Sequence, residues 1–212
     1  MVDMNIKAVI FDMDGVLIDA REWHYLALNQ ALAPFALEIS ESDHKNRFNG
    51  LSTAQKLRIL SKETGLPEEM HQIISEVKQD RTLRLAATFC FPNVQHQILL
   101  SRLKSIGLKL GLYTNSIRQT TEYMLRHAQI EKYLDLIVTN QDVENPKPAP
   151  DGYLISAKNL GVLPSEVLVV EDGEYGIQAA KAAGCHVLEV DGPGDVSIEL
   201  LMQYVPNLNG SK

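Results

Sequence analysis

The sequence predicts an α/β protein, a doubly wound parallel (Rossmann-like) sheet core whose first strand is separated from the rest by an all-helical insertion. Short apolar runs rich in β-branched residues stop abruptly at acidic or polar residues, as Ala8-Val9-Ile10-Phe11 does at Asp12, and such runs read as buried strands. From residue 94 to residue 190 they alternate with helical periods, the pattern of parallel strands joined by crossover helices. Between about residues 16 and 87 no convincing strand is present.

The first strand covers Ala8 to Phe11 and is too short and too β-branched for a helix. After Asp19 the period changes. Trp23, Leu26, Ala27, Gln30 and Ala31 begin a helical repeat that Leu57, Leu60, Leu66, Ile73, Ile74 and Val77 continue, with Gly50, Gly65 and Pro67 as breaks. Four or so helices are expected there. Phe91-Pro92-Asn93-Val94 marks the return to the sheet, and a helix over 94–106 ends at Gly107. A strand over 109–113, a helix over 120–128, a strand over 136–138 and a helix over 152–160 follow. The run Val167-Leu168-Val169-Val170, a helix over 176–183 ended by Gly184, and a strand over 187–190 complete the alternation. The tail from 204 to 212 reads as frayed. The division expected is a core of residues 1–15 and 88–212 with a helical cap of residues 16–87.

With 45% hydrophobic and 22% charged residues, the 212-residue chain has the balance of a globular protein with a real core. Its net charge of −7 disfavours nucleic acid and anionic membrane surfaces as partners, so an anionic ligand must be drawn in by local cations. No apolar run approaches the roughly 18 residues of a membrane span, and no leader pattern opens the chain; a cytoplasmic location is expected. Cys90 and Cys185, the two cysteines, are expected to be reduced and buried. The six histidines form no zinc pattern, so any metal would be met by oxygen ligands.

Asp12 and Asp14 follow the first strand directly, where open α/β sheets place their ligands. If the strand continues, residues two apart point the same way and both carboxylates face one centre. Two such acids repel unless a cation or a shared proton intervenes, which favours a metal site in which one carboxylate also does covalent work. Three further signals come in order. Leu108 to Tyr113 stops at Thr114-Asn115-Ser116, the loop Asn145-Pro146-Lys147-Pro148-Ala149-Pro150 holds one lysine, and Val167 to Val170 stops at Glu171-Asp172-Gly173.

This ordered set resembles the haloacid dehalogenase superfamily of phosphoryl-transfer enzymes, in the helical-cap branch that contains phosphatases and β-phosphoglucomutase-like enzymes. The resemblance covers about residues 6–190. It implies that Asp12 is a nucleophile forming an aspartyl-phosphate, and that Asp14 is the general acid and base while its backbone carbonyl binds Mg²⁺. A leaving alkoxide needs a proton and a halide does not, so Asp14 disfavours dehalogenation. Asp172 and Glu171 are the further candidate metal ligands, Asp172 ahead of Glu171 because Mg²⁺ seldom takes so many carboxylates. Lys147, braced by its prolines, would neutralise the nucleophile and the moving phosphoryl group. The Thr114 hydroxyl and the Asn115 amide would hold phosphoryl oxygens, a use compatible with ordinary helix capping, with Ser116 beside them.

Three departures stand out. Gly173 occupies a position where relatives carry serine, and Asn93 one where glycine is common; asparagine tolerates a positive φ, so that turn can survive. In the cap, His24 is expected to approach Asp14 or the substrate. Thr53 stands where the mutase uses an arginine to grip a second phosphate, and losing a bidentate clamp is not conservative. Lys78, Arg47 and Arg118 could partly substitute, though each reads first as a solvated surface charge. The favoured reading is a Mg²⁺-dependent phosphatase of a small phosphorylated metabolite of the sugar phosphate or phosphoglycolate type, a monomer or weak dimer. The alternatives are a β-phosphoglucomutase-like phosphotransferase and a non-catalytic binding protein on the same fold.

Overall fold

In the computed structural model, which describes residues 5–205 and 208, one five-stranded parallel sheet has the order β3-β2-β1-β4-β5. Its strands are β1 Ala8–Phe11, β2 Lys109–Tyr113, β3 Leu136–Val138, β4 Val167–Glu171 and β5 His186–Glu189. Central β1 pairs Ile10 with Gly111 on one side and with Val169 on the other. The chain runs outward from β1 through β2 and β3, then crosses back to β4 and β5. The order therefore reverses beside β1, and the crevice at the strands' carboxyl ends there is where such sheets take ligands.

Alternation along the strands builds two cores. Val9, Phe11, Leu110, Leu112, Leu168 and Val170 face α5 (Val94–Ser105) and α6 (Arg118–His127). Ala8, Ile10, Tyr113, Val167 and Val169 face α7 (Asp151–Leu160) and α8 (Glu174–Ala182). Both faces are covered, which is why these strands are apolar throughout rather than alternating with polar residues. A short helix, α9 (Ile198–Leu201), closes the described chain.

Between β1 and α5 lie only helices. They are α1 Arg21–Leu32, α2 Glu41–Asp43 running into a π turn at His44–Phe48, α3 Thr53–Thr64 and α4 His71–Phe89. Leu28, Leu32, Phe48, Leu57, Leu60 and Ile74 give them a core of their own. Helix α3 starts with a capping box, Ser52 Oγ accepting from the Gln55 N–H at 3.3 Å and Gln55 Oε1 from the Ser52 N–H at 2.8 Å. It ends at Gly65, whose φ of 77° suits a residue without a Cβ.

Several expectations change. The first strand stops at Phe11, so Asp12 and Asp14 lie in the loop after it rather than on its extension. Asn93 has φ −99°, not a positive value; it caps α5, its Oδ1 accepting from the Gln95 N–H at 2.9 Å and the His96 N–H at 3.3 Å. A short polar side chain is kept here for capping, not for a left-handed turn. Of the tail read as frayed, Val205 and Leu208 are buried, and the Leu208 carbonyl accepts from Arg102 Nε at 2.9 Å. Residues 206, 207 and 209–212 lie outside the described ones. Both cysteines are free, but Cys185 is only half-buried. No helix among the described residues is long and apolar enough to cross a membrane.

Candidate active site

The ends of β1, β2 and β4 and the helical insertion enclose a cavity of ≈ 210 Å³. Asp12, Asp14, Thr114, Asn115, Ser116, Lys147, Glu171 and Asp172 line its floor. His24, His44, Thr53, Lys56 and Lys78 line its roof.

At the floor, Lys147 is 2% exposed and its Nζ donates to Asp12 Oδ1 at 2.5 Å and to Glu171 Oε1. The ammonium also lies 4.9 Å and 5.5 Å from the ring centres of Tyr113 and Tyr153. Burial works against its charge, but Asp12 and Glu171 outweigh burial and raise its pKa, so Lys147 stays a cation. Glu171 is fully engaged. Tyr153 Oη donates to its Oε1 at 2.7 Å, and the N–H groups of Asp172 and Gly173 point to its Oε2 at 3.2 and 3.4 Å. Gly176 makes room for this carboxylate, since a Cβ there would come within 1.8 Å of Glu171 Oε1. Gly15, with φ +93°, does the same for Asp172, whose Oδ2 would lie 2.3 Å from an added Cβ.

Asp12, Glu171 and Asp172 each offer a carboxylate oxygen within 4.8 Å of the others. One lysine does not balance three acids. Burial and the neighbouring Glu171 charge push Asp172 up to about 6, and among the described residues its buried Oδ2 has no hydrogen-bond partner, with Arg21 at 3.6 Å. Burial likewise raises Asp12 despite Lys147. An excess of buried negative charge around an orphaned oxygen is a set of hard donors that fits a divalent cation.

The Asp14 carboxylate has partners of its own. Its Oδ2 accepts from Ser116 Oγ at 2.8 Å and Thr114 Oγ1 at 3.5 Å, and its Oδ1 lies 3.0 Å from His24 Nε2. Burial opposes its charge, but His24 and Ser116 prevail and lower its pKa. Asn115 ties three segments together, its Nδ2 donating to the carbonyls of Gly50 at 2.7 Å and Lys147 at 3.3 Å, and its Oδ1 accepting from the Lys147 N–H at 3.2 Å. Gln55 Nε2 to the Lys147 carbonyl at 3.2 Å and Gln79 Nε2 to Thr120 Oγ1 at 2.5 Å add two more links from the insertion to the sheet.

The structure thus gathers every site residue expected from the sequence around one cavity. The substitute cations divide. Arg47 pairs with Asp43 and Glu63 at the surface, and Arg118 with Asp142 and Glu122; neither lines the cavity. Lys78, read first as a solvated charge, is half-buried with its Nζ 2.8 Å from His24 Nδ1. Sequence reasoning passed over Lys56, His44, Gln55 and Tyr153. For Lys56 a signal existed: it stands one turn before Leu60 and next to Leu57, on the apolar stripe of α3, where a solvated lysine does not belong.

The model of the haloacid dehalogenase-like hydrolase family matches residues 9–190. The chain is 31% identical over 179 residues to a phosphorylated carbohydrates phosphatase of Thermotoga maritima, covering 84% of this chain and 82% of that one. It is 34% identical over 203 residues to a phosphoglycolate phosphatase of Salmonella choleraesuis, covering 85% and 79%. Its structure is similar to that of a β-phosphoglucomutase from Clostridium difficile, with a TM-score of 0.82, 26% identity and coverage of 97% and 100%. The chain belongs to the haloacid dehalogenase-like hydrolase family, and is an enzyme of it.

Proposed function

We propose that this phosphoric monoester hydrolase is a Mg²⁺-dependent phosphatase of a small phosphorylated metabolite, working through a phosphoryl group carried on Asp12. The observation that supports it most is the pairing of buried Asp12 with Lys147 beside Glu171 and Asp172. Asp12 and Asp172, with the backbone carbonyl of Asp14, would hold the ion, which supplies charge screening for the phosphoryl oxygens. Glu171 anchors Lys147 instead, since both its oxygens are taken by Lys147, Tyr153 and backbone N–H groups.

In the reaction, Asp12 attacks phosphorus and the ester oxygen leaves with the proton Asp14 gives it. Asp14 then takes a proton from the water that frees phosphate from Asp12. Ser116 and His24 fix the orientation of Asp14 for both steps. Lys147 stays within reach of the charge that builds on the transferring group. Residues 16–87 serve as the cap over this chemistry, and the Gly50–Asn115, Gln55–Lys147 and Gln79–Thr120 bonds fit a closed position.

Hydrolysis is favoured over transfer to a sugar hydroxyl by the names of the curated relatives and by Thr53, which offers no bidentate grip on a second phosphate. The test is a panel of phosphorylated metabolites scored for inorganic phosphate with and without Mg²⁺, alongside conversion of β-glucose 1-phosphate to glucose 6-phosphate. Metal-dependent phosphate release that outpaces isomerisation is expected. Isomerisation faster than release would instead assign a mutase.

A further inference from the structure

Lys147 is held from behind by two tyrosines, neither of which lines the cavity. Tyr113 ends β2 and Tyr153 lies in the first turn of α7, so they come from separate segments, and both are fully buried. Their rings meet edge to face, with centres 5.0 Å apart and planes at 88°, and Lys147 Nζ lies 4.9 Å from the Tyr113 centre and 5.5 Å from the Tyr153 centre. Both distances are within reach of a cation–π contact, which strengthens where water is excluded. The helix makes room for this corner: a Cβ at Gly152 would come within 2.1 Å of Tyr113 Cζ, so α7 needs a glycine where it passes that ring.

The two tyrosines offer different things. Tyr153 Oη donates at 2.7 Å to Glu171 Oε1, the oxygen that also accepts from Lys147. Burial and the Glu171 charge hold this phenol well above its ordinary range, so it stays a donor. Tyr113 Oη is buried with no hydrogen-bond partner among the described residues, so Tyr113 offers its ring alone. An ammonium has three N–H donors, and Lys147 directs two of them to Asp12 and Glu171. The third is left for an oxygen of a phosphoryl group over Asp12. Glu171 without the Tyr153 proton would press its whole charge on the ammonium and draw it from that position.

Resting on the phosphatase reading, we infer that Tyr113 and Tyr153 are positioning residues for Lys147: the ring of the first and the hydroxyl of the second hold its ammonium between Asp12 and Glu171 with one N–H free for the transferring phosphoryl group. The charge they aim is used in the transition state, so losing either should lower kcat and leave KM nearly unchanged.

The test is a set of variants assayed with Mg²⁺ on p-nitrophenyl phosphate. Tyr113→Phe, which keeps the ring, should turn over within about threefold of wild type, whereas Tyr113→Leu should lose about 5- to 30-fold. Tyr153→Phe, which keeps its ring but removes a hydrogen bond to a charged group, should lose about 10- to 100-fold. These losses should lie in kcat, and Tyr153→Phe should add almost nothing once Lys147→Met is in place. Gly152→Ala should reproduce the Tyr113→Leu loss and add little to it in the double variant. Lysine ammonium NMR reads the corner without turnover: ring current should shift the Lys147 signal upfield, Tyr113→Phe should keep that shift and Tyr113→Leu should reduce it. Losses that lie in KM, that persist undiminished without Lys147, or that Tyr113→Phe shares with Tyr113→Leu would overturn the inference, as would an unshifted Lys147 signal. Absence of phosphate release from every ester would instead remove the phosphatase reading, and the NMR comparison would still decide whether the rings hold the ammonium.

Discussion

The floor and the roof of the cavity both bury charge, but they do so in opposite ways. At the floor the acids outnumber the one lysine: Lys147 lies between Asp12 and Glu171, Asp172 comes no closer than 3.6 Å to Arg21, and Asp14 faces His24 and Ser116. Along the roof burial lowers the proton affinity of Lys56, Lys78 and His44, and the Lys78 charge lowers Lys56 further, as the Lys56 charge does His44. The floor, with Lys147 and the partners of Asp14 fixed, is preorganised for a charge that changes during reaction, because its dipoles and ions are already in place. An uncompensated roof waits for a charge that arrives from outside. The two ends therefore differ in which variants abolish chemistry and which alter recognition or stability.

The largest effect belongs to the floor. Asp12→Asn removes the nucleophile and one partner of Lys147, and turnover should fall by at least about 10⁴-fold, as for other nucleophile deletions. Phosphate release measured in single-turnover mode checks this, and residual activity within tenfold of wild type would break the covalent assignment. Asp14→Ala should cost about 10²–10⁴-fold on alkyl phosphates and less on aryl phosphates, whose leaving groups need no proton. Equal losses on both ester types would mean that Asp14 acts by holding structure rather than by moving protons.

The floor was also the legible end. Buried parallel strands write continuous apolar runs into the sequence, and each run stops where the crevice begins, which marks the places of Asp12, Thr114 and Asp172. The proline-rich segment around Lys147 carried its own signature. What local pattern could not convey was which atoms pair. The engagement of Glu171 with Lys147 and Tyr153 depends on contacts 24 and 18 residues apart, and on the space left at Gly176. The roof was less legible because its residues come from four helical segments whose packing no period encodes. For Lys56 the sequence shows only a place on the apolar stripe of α3, and the packing alone reveals that no counter-ion meets it among the described residues. Asn93 misled for a related reason: one residue type serves both left-handed turns and helix caps, and the choice is made by the backbone around it.

The smallest effect sharpens the contrast through stability and its pH dependence. An unfolded lysine titrates near 10.5, whereas burial and the charge of Lys78 bring Lys56 down to about 7 in the folded protein. Between those values the unfolded chain binds more protons than the folded one, so this group makes stability rise with pH across that window; its penalty is fully present below about 7 and gone above about 10.5. The groups facing it are Lys78 on α4, His24 on α1, His44 on the π turn and Asp14 at the floor; of these, Lys78, at about 8, also titrates in the window. Lys56→Met removes the charge while keeping an unbranched side chain of similar length, and taking an uncompensated charge out of a buried site removes its desolvation cost. The variant should therefore be the more stable protein at pH 7 in urea unfolding, and its advantage should shrink as the pH approaches 10. Loss of the Lys78 neighbour's repulsion acts in the same direction at pH 7. An anion that occupies the roof should narrow the gap as well, by stabilising the wild-type protein alone. A variant that is less stable at pH 7, or a gap that does not change with pH, would mean that Lys56 already has a counter-charge.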